Sequence, residues 1–400
     1  MLVWLIGRII VYGEELNRLK EADLYRFLRR VESEQGPHVM INGKPYILLA
    51  GNNYLGLADH PKVREAAIEA IHRYGVGSGA SRLISGNMAL HEELETRLAH
   101  FKGTEAALIF STGYMANLAL LSCLIPEDGL ILLDRLCHAS LIDGARLSGR
   151  PYRVYGHKDL NKLERLLQRK PQGQSALIVT DGVFSMDGDI APLPQLISLA
   201  RQYGAQVLVD DAHATGVLGI HGRGTLEHFG VSPSEDSVIQ MGTLGKAIGT
   251  FGAYVAGSHD LIEYLINKAR TFIYTTALPP AVCAATAAAL DLIEKEPELR
   301  VRLWKNRTHF YEGLHSLGFD TLQSETPILP ILISDSHKAL KLAEALFDEG
   351  IFAPAIRPPT VPKGTSRIRM TVMATHAKAD LDRALEVLGK TGKALGLSNR

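Results

Sequence analysis

The chain has 400 residues, is 46% hydrophobic and 22% charged, and balances 43 Lys and Arg against 43 Asp and Glu for a formal net charge of zero. Such a balance, with no basic stripe, disfavours nucleic acid or a membrane surface as the main partner and describes a soluble globular chain with room for one large domain and a smaller one. The three cysteines, Cys123, Cys137 and Cys283, are odd in number, widely spaced and without CxxC pairing, so neither a disulfide framework nor a metal site is expected and a reducing cytoplasm fits.

The amino end, MLVWLIGRIIVYGEEL, is apolar for about a dozen residues and interrupted by Arg8, too short to span a bilayer and without a signal-peptide cleavage pattern. It reads as a packing or disordered extension. Residues 14–33 alternate charged and apolar side chains at helical spacing and predict a leading amphipathic helix. Two short strands, VMIN and YILLA, follow around a turn at Gly43-Lys44. In GNNYLGL the amide of Asn52 stands just past a strand, where it can reach a substrate carboxylate or simply form a turn.

The stretch Gly75-Val76-Gly77-Ser78-Gly79-Ala80-Ser81-Arg82 is a glycine-rich loop without a Walker ending. A strand is predicted over 106–110, and Ser111-Thr112-Gly113-Tyr114 opens the helix after it. Amides at a helix start, with a glycine for close approach, form an anion site suited to a phosphate. A strand over 130–134 exits into DRLCHASLIDG, where His138 can stack on a flat ring. Another apolar strand over 176–180 exits into DGVFSMDGD, which holds Ser185 and Asp187.

Two later pieces dominate the chemistry. In QVLVDDAHATG an apolar run delivers Asp210, Asp211 and His213 at its end, and in SVIQMGTLGKAIG a second run delivers Lys246 among small residues. A lysine so placed is partly desolvated, its pKa falls, and the neutral amine can condense with a carbonyl. An ionised aspartate on a neighbouring strand end is what the ring nitrogen of pyridoxal 5'-phosphate (PLP) requires to stay protonated. Lys246 is therefore expected to carry PLP as a Schiff base, and Asp210 to face its ring nitrogen. Strands and helices alternate through residues 100–250, the pattern of βαβ units around a mainly parallel sheet whose ligands gather at strand C-termini. From about Pro297 the order changes to a smaller α+β arrangement, giving expected bounds of 1–50 for an N-terminal helix and short strands, 51–290 for a large α/β domain and 291–400 for the small domain.

Taken in order, NNYLGL, GSGASRLISGN, STGYMANL, DRLCHASLIDGARLSG, DGVFSMDGD, VDDAHATGVLG, GTLGKAIG, YTTALPP and IRPPTVPKGTSRIRMT resemble the α-oxoamine synthase family of PLP enzymes, of transferase fold type I, from about residue 45 to the C-terminus. The resemblance implies a seven-stranded type of large sheet and a homodimer with shared active sites. It also implies that an amino acid, alanine or glycine, is condensed with an acyl-CoA or acyl-carrier-protein thioester with loss of carbon dioxide. Within the family the motifs look most like the biotin-synthesis branch, which joins L-alanine to a pimeloyl thioester.

By the same resemblance Lys246, Asp210, His213 and His138 would be catalytic, and His213 and Ser185 would sit near the cofactor's phenolic oxygen. Gly113, Tyr114 and Thr243 would serve the phosphate, and Thr275 and Thr276 would reach in from the second subunit. Arg369 with Asn52 would hold the amino-acid carboxylate, Arg357 and Thr360 would lie near the acyl substrate, and Arg29 would contact substrate from the amino end. Gly245 and Ala214 depart from the serine and glycine common at those places in the biotin branch. A sister activity on glycine and an acetyl thioester, a broad-specificity enzyme, a transaminase, and a non-catalytic scaffold subunit of the same fold remain as alternative expectations.

Overall fold

The computed structural model describes residues 12–397, so the apolar stretch over residues 1–11 lies outside the described residues. A seven-stranded sheet forms the centre. Its order across is Ala106–Phe110, Ala253–Gly257, Val238–Thr243, Ala205–Asp210, Ala176–Asp181, Leu130–Asp134 and Tyr152–Tyr155. The last five run parallel to one another, while Ala253–Gly257 is antiparallel to both its neighbours. The mainly parallel α/β sheet expected from the alternating pattern is therefore present.

These segments form central strands because both of their faces are apolar. Ile131, Leu133, Leu177, Val179 and Leu208 enter one buried cluster, and Leu132, Ile178, Val207 and Val209 enter another on the opposite face. Period-two alternation between two apolar layers is what a doubly covered parallel sheet demands. The edge strand Tyr152–Tyr155 carries exposed Arg153 and Val154, so nothing in its composition sets it apart and it was not expected.

Register decides where the chemistry falls. Asp181 is paired with Asp210, and Asp210 with Met241, so three strands end together at one edge of the sheet.

Two smaller sheets complete the fold. Ile328–Ser334, Ser366–Thr371 and Ala355–Ile356 form one, antiparallel throughout. The hairpin His38–Ile41 and Lys44–Leu48 joins Ile351–Phe352 in the other, which ties the amino end to the C-terminal part. The run FAPAIR, residues 352–357, whose pattern predicts one strand, is thus divided between two sheets.

The leading helix is shorter than its pattern predicts. It runs Tyr12–Glu21 and buries no residue, then stops at Asp23, whose φ is 56°. The carbonyls of Asp23 and Tyr25 accept from the Arg357 guanidinium, a tertiary partner that holds the chain out of helical geometry. The glycine-rich loop, in turn, leads into a π-helix, Arg82–Gly86, whose Arg82 binds Glu95 through both guanidinium nitrogens at 2.8 Å. No helix among the described residues is long and apolar enough to cross a membrane.

Candidate active site

At the C-terminal edge of the sheet a cavity of about 190 Å³ is lined by Gly113, Tyr114, His138, Asp181, Asp210, His213, Thr243 and Lys246, among others. The structure thus brings together the lysine and the aspartate that the sequence singled out. Lys246 sits in a turn closed by Leu244 N–H on Gly252 O and Gly249 N–H on Lys246 O, both 2.9 Å. Gly249 has φ 77°, and a Cβ there would lie 2.5 Å from Ala58 N, so only glycine permits the turn. At Gly245 a Cβ would meet nothing nearer than Thr250 O at 3.5 Å, which makes the departure from serine sterically neutral.

Part of the Lys246 side chain is open, but its amine is ringed by protein. Burial brings its pKa down to about 8, against the opposing pull of Asp210 and Asp181. Nζ lies 3.0 Å from His213 Nε2. The His213 pKa is held well below its usual value, first by burial and then by Lys246 and Arg369, so this imidazole is neutral.

Asp210 is buried, and both its oxygens are held. Oδ2 accepts from Asn117 Nδ2 at 2.7 Å, and Oδ1 accepts from Ala212 N–H at 2.9 Å. Beside it, burial and the Asp210 charge push the Asp181 carboxyl well above the usual range, and Asp181 Oδ1 accepts from His138 N–H at 3.1 Å. His138 caps the helix Ala139–Leu147, with Nδ1 2.7 Å from Ser140 Oγ. Burial lowers its pKa.

The opposite end of the cavity is the start of the helix Gly113–Cys123. Thr112 caps it by accepting from Met115 N–H, which leaves the first-turn amides of Gly113 and Tyr114 without intrahelical acceptors. A Cβ on Gly113 would come within 2.6 Å of Thr243 Cγ2, so glycine keeps this end open. The buried Thr243 Oγ1 has no hydrogen-bond partner. An unmet hydroxyl, free helix-start amides, a braced carboxylate and a partly neutral amine around one small cavity fit PLP: phosphate at the helix start, ring nitrogen at Asp210, aldehyde at Lys246.

Arg369 lies on Ser366–Thr371 and reaches the same place. It donates to Asn52 Oδ1 at 3.1 Å, to Tyr54 Oη at 3.4 Å and to the Ser185 carbonyl. Ser185 and Thr360 line a larger cavity of about 840 Å³ that shares His138 with the small one.

Four expected residues stand elsewhere. Thr275 and Thr276 flank Arg82 and Ser111 in a separate pocket of this chain. Arg29 stacks on Phe347, 3.8 Å from guanidinium to ring centre, and lines neither of these two cavities. Arg357 is buried, with its donors on the amino-terminal segment.

Three contributors were not singled out. Asn117 follows Gly113 by four residues and so shares its helix face. Tyr54, within NNYLGL, places Oη 2.7 Å from His213 Nδ1. Asp181 is legible only once the strands LIVTD and VLVD are set in register.

One cluster has metal-ligand spacing, His157, Asp187 and Asp189, with ligand atoms within 4.8 Å of one another. Cations of the chain already hold it. His157 bridges Asp134 and Asp189 at 3.0 and 2.8 Å, Lys158 Nζ is 2.8 Å from Asp189, and Arg367 pairs with Asp187.

Comparison with known proteins agrees with this geometry. Residues 44–388 match the aminotransferase class I and II family. The chain is 54% identical to 8-amino-7-oxononanoate synthase of Geobacter sulfurreducens over 96% of its own length and 98% of that protein. It is 48% identical to 8-amino-7-oxononanoate synthase 1 of Bacillus subtilis, over 96% and 97%. Among solved structures, serine palmitoyltransferase of Sphingomonas wittichii superposes with a TM-score of 0.92 at 32% identity, covering 98% of this chain and all of that one. A serine palmitoyltransferase from S. paucimobilis with bound PLP gives 0.91 at 34%, over 96% and 98%. By sequence and by fold the chain belongs to the aminotransferase class I and II family and, within it, to the α-oxoamine synthases.

Proposed function

We propose that this chain is a PLP-dependent acyltransferase that condenses L-alanine with a pimeloyl thioester, releasing the thiol and carbon dioxide and giving 8-amino-7-oxononanoate for biotin synthesis. The observation that carries this reading is the gathering of Lys246, Asp210 and His213 around one cavity, with Arg369 joined to His213 through Tyr54, beside a second and larger cavity able to take an acyl chain. Relatives of about 50% identity over nearly the whole length carry that enzyme's name.

PLP, when bound, supplies an aldehyde that condenses with amines and a ring that accepts the electron pair of a bond broken at the amino acid's α-carbon. Lys246, neutral in part near pH 8, would hold that aldehyde, and its amine would take the α-proton and later return one. Asp210, positioned by Asn117 and the Ala212 amide, would face the ring nitrogen and hold its proton. Arg369, oriented by Asn52 and Tyr54, binds the alanine carboxylate and so fixes which bond at the α-carbon faces the ring. His138 and neutral His213, which line the same cavity, would border the ring. The new carbon–carbon bond joins the α-carbon to the thioester carbonyl, the thiolate leaves, and the carboxylate departs as carbon dioxide.

We further assign a homodimer in which Thr275 and Thr276 complete the partner's phosphate site. Supporting this, both threonines lie outside the Lys246 cavity of their own chain, and Val76, Ile84 and Tyr274 are 77%, 80% and 72% exposed, an unusual display of apolar surface for a lone chain. A cytoplasmic setting is supported by three free cysteines.

The deciding experiment is a steady-state assay of thiol release with alanine and glycine against acyl-CoA esters of graded length. Alanine with pimeloyl-CoA giving the highest kcat/KM supports the reading; glycine with acetyl-CoA leading would replace it. Mixing Lys246→Ala and Thr276→Ala chains tests the shared site, since hybrid dimers then regain one intact centre.

A further inference from the structure

The larger cavity is apolar over much of its wall, through Leu136, Ile142, Phe184, Leu322, Leu332 and Val361. Three groups of positive character also line it: Arg135, His157 and Arg367. Two of them are engaged. His157 lies between the carboxylates of Asp134 and Asp189, and Arg367 donates to the carbonyls of Thr365 and Met186 and to Asp187. Arg357, the arginine expected near the acyl group, is turned to the amino-terminal segment.

Arg135 differs. Its backbone N–H reaches Tyr155 O at 3.1 Å, while among the described residues its guanidinium has no hydrogen-bond or ion-pair partner. We propose that Arg135 is the specificity-determining residue that reads an anionic group at the far end of the acyl substrate, selecting a dicarboxylic acyl thioester over a plain fatty one. This rests on the reaction assigned above and names the part of the substrate that the assignment leaves unmatched.

Two anions travel with such a substrate, the terminal carboxylate of the acyl chain and the phosphates of coenzyme A. Reach favours the carboxylate. Arg135 precedes His138, which walls the reacting cavity, by three residues, so their Cα atoms lie within roughly 10 Å. A pimeloyl carboxylate stands six bonds from the thioester carbon, at most roughly 9 Å at about 1.5 Å per bond. The pantetheine arm puts the phosphates about twice as far away. A guanidinium clasps a carboxylate through two parallel N–H bonds.

The test compares wild type, Arg135→Gln and Arg135→Lys as PLP-loaded enzymes with L-alanine and three thioesters: pimeloyl-CoA, heptanoyl-CoA of equal length without the carboxylate, and pimeloyl-N-acetylcysteamine without phosphates. The expected result is that Arg135→Gln lowers the pimeloyl-to-heptanoyl ratio of kcat/KM at least tenfold, mainly through KM. Arg135→Lys should recover part of it, and pimeloyl-N-acetylcysteamine should suffer like pimeloyl-CoA. Equal losses on both CoA esters, with pimeloyl-N-acetylcysteamine spared, would make Arg135 a phosphate contact and overturn the proposal, as would an unchanged ratio. A wild-type enzyme inert toward every thioester would instead sink the reaction assignment itself, and the proposal with it.

Discussion

Lys246 Nζ and His213 Nε2 lie 3.0 Å apart, and the far nitrogen of the same imidazole is 2.7 Å from Tyr54 Oη. A neutral imidazole donates through one nitrogen and accepts through the other, so Tyr54 and His213 form a short relay that orients the amine without adding charge beside it. Two strand ends and the amino-terminal loop thus meet at one imidazole ring.

Because burial brings the Lys246 pKa down to about 8, only the fraction deprotonated at that value attacks the aldehyde. Loading of apo-protein with PLP, followed by visible absorbance in a stopped-flow instrument, should quicken as pH rises from 6 to 8 and level off above 9. A rate constant flat across that range would contradict the assignment. Lys246→Ala should lose the visible band and lower turnover by roughly 10³-fold or more.

The carboxylate of Asp210 is expected to matter through its charge and not its shape. Asp210→Asn, nearly isosteric, should lower kcat by roughly 10²-fold or more and weaken PLP retention. Asn117→Ala removes one of the donors that position Asp210 and should cost less, roughly tenfold. Equal dialysis half-times for PLP in wild type and Asp210→Asn would argue that this carboxylate does not face the ring.

His157 gives a pH signature outside the reacting cavity. Although burial pulls its pKa down, Asp134 and Asp189 outweigh that and raise it to about 9. A group whose folded value exceeds its unfolded value of about 6.5 stabilises the fold fully below pH 6.5, and that contribution fades as pH rises through 9. His157→Gln should therefore be less stable by about 3 kcal/mol at pH 6, and denaturant midpoints of the two proteins should converge by pH 10. A gap independent of pH would show that packing, not charge, is the cause.

Lys102 and Asp211 form an ion pair at 3.3 Å with both side chains fully buried. Asp211 also accepts from Thr225 N–H and Oγ, and Lys102 donates to the Arg223 carbonyl, so the pair pins residues 223–225 to the strand end that carries Asp210. Removing one buried partner strands the other, at a cost of about 3–5 kcal/mol. Lys102→Met should lower the unfolding free energy by that amount, and adding Asp211→Asn should return part of it. If the double variant proves as unstable as the sum of the singles, the two charges are not coupled.

Much of this was legible in the linear chain because parallel strands buried on both faces leave a signature of short, wholly apolar runs. LILLD, LIVTD and VLVD each end in an aspartate where the run meets the loop, and strand C-termini are where such sheets gather their ligands. Lys246, Asp210, His138 and the start of the helix at Gly113 could be placed at one edge on that ground. Composition also carried the chemistry, since a lysine among glycines and small apolar residues has few ways to remain fully solvated.

What the chain order leaves open is everything that depends on partners distant in sequence. The end of the leading helix is decided by Arg357, more than 330 residues away; residues 351–356 divide between sheets because the amino-terminal hairpin claims the first two of them. Whether an arginine is available to substrate is a question of who else holds it, and Arg135, Arg357 and Arg367 look alike until Asp187, Asp23 and Tyr25 are set beside them. Local propensity and periodicity are properties of neighbours in the chain, whereas charge pairing and register are properties of neighbours in space, and only the folded molecule supplies those.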